Sequence, residues 1–153
     1  MDTSISLRQA EIEDIEQIKE ILFCILKEYE IAIPDNYSVC DIDSIKFQSN
    51  SSQVFVLLRN VSVIGFLVLR PIANGCIELK RLYLSFSERG RGLGAYLLNY
   101  AINFAQKNQY NSMRLETTSR FKEAVLLYKK FGFMVLNGVD KAPEHDLVLE
   151  KIF

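Results

Sequence analysis

The sequence has few of the features that mark membrane, secreted or metal-binding proteins. Its three cysteines are odd in number and widely spaced, so they form no metal-ligand pair and indicate a reducing compartment. No apolar run is long enough to cross a bilayer, and the N-terminal stretch MDTSISLRQAEIED lacks the basic region and apolar block of a signal peptide. We therefore expect a cytoplasmic protein that binds no metal and no membrane.

The charges are distributed unevenly, although their sum is only −1. Residues 80–130 carry 10 basic and 3 acidic side chains, whereas residues 1–79 carry 6 basic and 12 acidic ones. The basic segment suits a polyanionic ligand. The acidic half suits an amine or another cationic partner, although solvated helix faces explain it equally well. No basic tract contains interleaved aromatic residues, so the pattern does not favour nucleic-acid binding.

Length and hydrophobic periodicity predict one mixed α/β domain over residues 3–153. The predicted order is β-α-α-β-β-β-α-β-α-β-β. The predicted strands are 5–8, 53–59, 62–70, 77–86, 113–117, 133–136 and 147–151, and the predicted helices are 13–30, 43–48, 93–107 and 122–131.

The most informative stretch is LKRLYLSFSERGRGLG, residues 79–94, where a strand leads through a glycine-rich loop into a helix. Glycines allow close approach of a ligand to the backbone, and a helix start offers unpaired N–H groups that suit phosphate. A P-loop would need Lys-Ser/Thr after its last glycine, and the dinucleotide fingerprint needs a different glycine spacing. The alternative is a tight strand–helix turn whose glycines serve steric needs only.

Two motifs carry a family resemblance. Arg89-x-x-Gly92-x-Gly94 resembles (Gln/Arg)-x-x-Gly-x-(Gly/Ala), the pyrophosphate loop of the GNAT-type N-acetyltransferase superfamily. The segment EAVLLYKKFGF, residues 123–133, resembles the A-x-x-L-Y-x-K-x-G-F end of the superfamily's fourth helix. The element order is similar as well, over essentially the whole chain. The resemblance implies the acyl-CoA N-acyltransferase fold, an α+β mixed sheet splayed at its centre, and acetyl-CoA as co-substrate without a metal.

The resemblance also implies which residues bind the cofactor. Many members have Asn where this chain has Phe121, so we expect Phe121 to pack against the pantetheine arm or the adenine instead. The backbone that pairs with pantetheine is expected from Leu82, Tyr83 and Leu84. The pyrophosphate cradle is expected from Arg89, Gly90, Arg91, Gly92, Leu93, Gly94 and Ala95.

The central strand shows a slip in its alternation. Apolar residues fall at Ile77 and Leu79 and then at Leu82 and Leu84, so the parity changes by one. This slip predicts an extra residue at Lys80-Arg81, a β-bulge that would splay the strand from its neighbour, as the family does. The alternative is that both faces of a central strand are buried, in which case parity carries little information.

The resemblance points to Tyr128 and Glu78 as catalytic residues. Tyr128 matches the tyrosine that protonates the departing thiolate, and the alternative is a core aromatic. Glu78 lies eleven residues before Arg89, the distance of the glutamate base in histone-acetylating members. It is interpreted as the general base or as an anchor of the acceptor amine, and the alternative is an ion pair with a neighbouring basic residue.

The acceptor pocket is expected from the first two helices and their loop. Tyr29, Tyr37 and the acidic residues around Asp35 are available there, although ordinary loop residues are an equally simple interpretation. The single histidine, His145, lies in a turn-like stretch and is predicted on the surface.

These features together favour an acetyl-CoA-dependent N-acetyltransferase that acts on the primary amine of a small molecule or a protein. The alternative is a non-catalytic acyl-CoA-binding sensor or subunit on the same fold. A monomer or a homodimer is expected, because the last strands offer an edge for pairing.

Overall fold

The computed structural model describes residues 4–33, 35, 37–43, 52–143 and 145–153. The helices are α1 (Ile15–Glu28), α2 (Cys40–Asp43), α3 (Leu93–Lys107) and α4 (Lys122–Lys130). The strands are β1 (Ile5–Gln9), β2 (Gln53–Arg59), β3 (Ser62–Pro71), β4 (Cys76–Leu84), β5 (Ser112–Thr117), β6 (Met134–Val135) and β7 (Leu147–Ile152). The described strands form one sheet in the order β1-β2-β3-β4-β5-β7-β6.

The sheet divides at its centre. Strand β4 runs parallel to β5, whereas the other neighbouring pairs are antiparallel. The β4–β5 pairing ends where Glu78 lies opposite Arg114. In the β3–β4 pairing, Leu79 and Arg81 face consecutive residues of β3, which leaves Lys80 as the extra residue. The predicted bulge and the splayed mixed sheet are therefore confirmed.

Each face of the sheet carries its own apolar cluster. The face beneath α3 and α4 receives Ile77 and Leu79, and also Leu82 and Leu84. These four side chains share one face despite the change in parity because the bulge at Lys80 adds one residue between the pairs. The opposite face packs against α1 and α2. The cavity described below lies between the two clusters, at the division of the sheet.

Several boundaries differ from the prediction for local reasons. Helix α1 begins later because residues Ile12–Asp14 form a 3-10 turn, and it ends before Glu30, whose φ is 53°. Strand β4 ends at Leu84 rather than Phe86, since residues Phe86–Glu88 form a second 3-10 turn. A second helix was predicted over 43–48. The structure has a helical turn at Cys40–Asp43, and 44–48 lie outside the described residues.

The glycine at residue 132 ends α4 as predicted. Its φ is 93°, and its N–H donates to the Lys129 carbonyl at 3.0 Å, while the N–H of Phe133 donates to the Tyr128 carbonyl at 3.0 Å. This pattern is a left-handed helix cap. None of the helices in the described ranges combines the length and the apolar character needed to span a bilayer.

Candidate active site

A cavity of about 290 Å³ lies where β4 and β5 diverge. One wall is the strand segment 79–84, and the facing wall is the end of β5 at 115–117. Helices α1 and α4 and the glycine loop complete the lining. The bulge thus creates both the divergence of the strands and the space between them.

The strand wall offers backbone groups to a ligand. Leu82, Tyr83 and Leu84 line the cavity, as predicted for the pantetheine-binding segment. From Arg81 onward β4 pairs with β3 alone, so its opposite edge faces the cavity instead of β5. Backbone N–H and C=O groups on such an open edge are available to pair with an extended ligand.

The glycine loop owes its shape to backbone conformations that favour glycine. Gly90 and Gly92 have φ values of 76° and 80°, and a Cβ at either position would meet no atom within 4 Å. Gly94 instead allows close packing, because its Cβ would lie 3.4 Å from Leu127. Positive φ values thus account for Gly90 and Gly92, and close packing accounts for Gly94. Their role in phosphate binding stays a prediction, although the open space beside Gly90 and Gly92 fits a ligand.

The loop residues expected to bind pyrophosphate divide into two groups. Arg89, Gly90, Gly94 and Ala95 line the cavity. Arg91, Gly92 and Leu93 are not among the lining residues, and the side chain of Arg91 is 60% exposed beside Glu88.

Arg89 is held at the mouth of the cavity by α1. Its Nη1 donates to Glu28 Oε2 at 2.6 Å, and its guanidinium lies 6.0 Å from the ring centre of Tyr29 and 5.3 Å from that of Phe86. The hydrogen bond to Glu28 raises the pKa of the Arg89 guanidinium further. The positive charge expected for a pyrophosphate loop is thus fixed in position beside the helix N-terminus.

Tyr128 is a buried phenol in the cavity lining. It lines the cavity, and its ring packs edge-on against Phe133. Burial raises the pKa of the Tyr128 phenol, so the hydroxyl carries its proton at neutral pH. Burial also raises the pKa of Tyr83, which lines the same cavity, to about 12.

Phe121 joins an aromatic cluster across the cavity. Its ring packs edge-on against Tyr29, with ring centres 4.7 Å apart, and its ring centre lies 6.2 Å from that of Tyr83. Both Phe121 and Tyr29 line the cavity, so the structure brings them together with Tyr128 and the glycine loop. Phe121 therefore links α1, β4 and the start of α4 through apolar contacts at the position where an Asn was expected.

Glu78 lies outside the group that lines the cavity. Its Oε2 accepts two hydrogen bonds from Arg70, from Nη2 and from Nε at 3.0 Å, and its side chain is 13% exposed. The ion pair with a basic neighbour that was considered as its alternative is therefore present. Of the two predicted catalytic residues, Tyr128 lines the cavity and Glu78 does not.

Sequence reasoning missed a buried charged cluster beside the bulge. Arg81 Nε donates to Asp41 Oδ2 at 2.6 Å, and Arg81 Nη1 donates to the hydroxyl of Tyr37 at 2.9 Å. Burial alone would lower the pKa of the Arg81 guanidinium, but the Asp41 carboxylate raises it overall. Tyr37, expected in the acceptor pocket, is thus engaged with Arg81. Only the parity slip at Lys80-Arg81 marked this region in the sequence.

Sequence reasoning also misplaced His145. It was predicted on the surface, but its side chain is 29% exposed and lines the cavity together with Glu116. No spacing pattern joins these two residues, so nothing in the sequence indicates the pair. Within the described part of the chain, no group of three or more His, Cys, Asp or Glu side chains could hold a metal ion.

Most of the chain matches one known protein family. Residues 15–133 match the acetyltransferase (GNAT) family. The chain belongs to the GNAT acetyltransferase family. The predicted family is therefore confirmed.

Relatives and solved structures of GNAT proteins agree with this assignment. An uncharacterized N-acetyltransferase of Schizosaccharomyces pombe is 40% identical over 73 residues, which are 47% of this chain and 45% of that protein. The chain thus spans under half of that relative's length. A GNAT acetyltransferase of Staphylococcus aureus has the same fold, with a TM-score of 0.88 at 19% identity over 97% of this chain and 99% of that one. The PaiA N-acetyltransferase of Thermoplasma acidophilum, solved with coenzyme A, has a TM-score of 0.79 at 24% identity over 98% and 99% of the two chains.

Proposed function

We propose that this GNAT protein transfers the acetyl group of acetyl-CoA to a primary amine by direct attack of the amine on the thioester. One observation carries the proposal. The phenol of Tyr128 and the glycine loop line the same cavity, at the open edge that β4 acquires when it separates from β5.

The residues of the cavity match the parts of acetyl-CoA in order. The first N–H groups of α3 and the guanidinium of Arg89 suit the pyrophosphate. The open edge at Leu82–Leu84 suits the amide groups of pantetheine. A backbone N–H of this segment that faces the thioester oxygen would stabilise the negative charge of the tetrahedral intermediate.

Tyr128 serves as the acid in this proposal. When the amine nitrogen bonds to the carbonyl carbon, the C–S bond breaks and the sulfur leaves as a thiolate. A phenol that is protonated at neutral pH donates a hydrogen bond, and then a proton, to that sulfur. Burial keeps the Tyr128 phenol protonated, so its proton is present when the thiolate leaves.

Glu78 and Tyr29 are the residues proposed to meet the acceptor amine. A carboxylate such as Glu78 attracts an ammonium group or receives its proton, and an aromatic ring such as Tyr29 supplies a flat apolar contact. The acceptor is the amine of a small molecule or of a protein.

The test is release of coenzyme A from acetyl-CoA, followed with a thiol reagent across polyamines, amino acids, aminoglycosides and lysine peptides. For the amine that reacts fastest, Tyr128→Phe is expected to lower kcat about 100-fold or more. The affinity for acetyl-CoA, measured by calorimetry, is expected to stay within about twofold because a phenylalanine fills the same space.

Tyr110→Phe is the matched control, since Tyr110 lies outside the cavity and its hydroxyl is not part of the site. Acetyl-CoA binding without acceptor-dependent release by any amine in the panel would favour an acyl-CoA-binding sensor. Absence of acetyl-CoA binding would overturn the assignment of the loop at 89–95.

A further inference from the structure

The β5 side of the cavity carries a carboxylate and an imidazole that the proposed function does not use. Glu116 lies near the end of β5, and His145 lies just before β7. Both line the cavity, with side chains that are 25% and 29% exposed. They face the strand segment that contains the bulge across the divergence of the sheet.

Hydrogen bonds hold both residues in place. Glu116 Oε1 accepts the N–H of Ala142 at 3.0 Å, and the carbonyl of Ala142 accepts the N–H of His145 at 2.9 Å. The next residue, Asp146, accepts the N–H of Ser119 at 2.8 Å and its hydroxyl at 2.6 Å. Ala142 is thus attached to β5, and Asp146 is attached to the turn that follows it.

The orientation of the imidazole is specific. Its Nδ1 is buried, has no hydrogen-bond partner among the described residues and lies 3.8 Å from Glu116 Oε2. Because Nδ1 is buried beside Glu116 and the residue lines the cavity, Nε2 is the ring nitrogen left for a ligand. A carboxylate beside Nδ1 stabilises the imidazolium that forms when Nε2 takes up a proton.

The position of Glu78 makes this second base necessary. Its Oε2 is hydrogen-bonded to two nitrogens of Arg70, and its side chain is not part of the cavity lining. An alkylammonium acceptor must lose a proton before it attacks, and the group that takes it must reach the cavity. His145 lines the cavity, and an imidazole nitrogen can accept a proton.

We propose that His145 accepts the proton of the acceptor's ammonium group through Nε2 and that Glu116 is the positioning residue that orients the ring. This assignment rests on the proposed acetyl transfer. It moves the role of the base from Glu78 to His145.

The protons balance over the reaction. The ammonium group gives one proton to His145, and the free amine forms the C–N bond with the thioester carbonyl carbon. As the C–S bond breaks, the sulfur takes a proton from Tyr128, and the phenol regains one from the nitrogen that has become the amide. His145 returns its proton to solvent, so the products are the amide, coenzyme A and one proton.

The test compares two acceptors that differ in basicity. One is the primary alkylamine that wild-type protein acetylates fastest, and the other is an analogue with three fluorines on its β-carbon, which is neutral at the assay pH. His145→Gln is expected to lower kcat/KM about 100-fold for the basic amine. For the fluorinated amine the loss is expected to fall below about fivefold, because that acceptor has no proton to give up before attack.

Glu116→Gln keeps an oxygen for the N–H of Ala142 but removes the charge. It is expected to show a smaller loss, about tenfold, with the same dependence on amine basicity. Glu150→Gln is the control, because Glu150 pairs with Arg114 outside the cavity. A purely structural role of His145 would lower the rates of both amines equally.

The outcomes separate this inference from the proposed function. An equal loss for the two amines in His145→Gln, or activity within threefold of wild type, overturns the role of His145 alone. A loss that depends on basicity in Glu78→Gln but not in His145→Gln returns the base to Glu78. Failure of wild-type protein to acetylate any amine overturns acetyl transfer, and this inference with it.

Discussion

The two ends of the cavity are built in different ways. The loop end, residues 89–95, is one continuous stretch whose shape follows from backbone conformation and two glycines with positive φ. The charged wall, which we define as Arg81, Glu116 and His145, is assembled from separate segments: Asp41 is 40 residues from Arg81, and Ala142 is 26 residues from Glu116. We infer that local sequence shapes the backbone of the loop end, where only the side chain of Arg89 is held from a distance, by Glu28 of α1. The charged wall depends throughout on contacts between distant segments.

The substitution expected to disturb the charged wall most is the removal of Asp41, the carboxylate that pairs with Arg81. Asp41→Ala would leave the guanidinium of Arg81 buried without its carboxylate. Breaking a buried ion pair by removing one partner lowers the free energy of unfolding by about 3–5 kcal/mol. Denaturant unfolding of the variant should show a loss of this size.

The control is an ion pair that is more exposed. Glu150→Ala removes the partner of Arg114, whose side chain is 39% exposed, so solvent screens the charge that remains. Its loss should stay below about 1 kcal/mol. Equal losses for Asp41→Ala and Glu150→Ala would show that the charged wall is no more dependent on its ion pair than the open surface is.

The conformation of the loop end can be tested by adding one methyl group. Gly92→Ala places a side chain at a φ of 80°, a conformation that costs about 1–2 kcal/mol for a residue other than glycine. Because Gly92 is exposed, the free loop is expected to relax and to be forced back on binding. The affinity for acetyl-CoA, measured by calorimetry, should therefore fall roughly 5–30-fold.

Gly138→Ala is the matched control for that substitution. Gly138 has a similar φ of 73°, with no atom within 4 Å of its Cβ position, and lies outside the cavity. It should leave the affinity for acetyl-CoA unchanged. If Gly92→Ala also left it unchanged and lowered only the stability, the loop would keep its shape without the ligand.

The contrast between the two ends explains what could be predicted from the sequence. The fold, the bulge and the glycine loop could be predicted because apolar parity and glycine spacing are local signals. The contacts of Arg81, Glu116 and His145 could not, since no periodicity links an acidic residue on one element to a basic residue on a distant one. Phe121 could be predicted only in part. The sequence shows that Phe121 replaces the family's Asn, but its contact with Tyr29 follows from how α1 packs in the folded chain.

The smallest expected effect concerns Asp146, whose hydrogen bonds with Ser119 help to hold the neighbouring His145 beside β5. The hydroxyl and the N–H of Ser119 donate to Asp146 and hold the pKa of its carboxyl below the usual range. A carboxyl whose pKa is lowered on folding stabilises the folded state above its unfolded pKa, and this contribution disappears as the pH falls through the folded pKa. Thermal unfolding between pH 6 and 2 should therefore show a shallower acid loss of stability in Asp146→Asn than in wild type. The variant should resemble wild type at the acid end of the range and be slightly less stable at pH 6. The reverse order, with the larger difference in acid, would mean that the hydrogen bonds between Ser119 and Asp146 do not depend on the charge of Asp146. The charged wall would then be held by the backbone contacts of Ala142 and His145 instead.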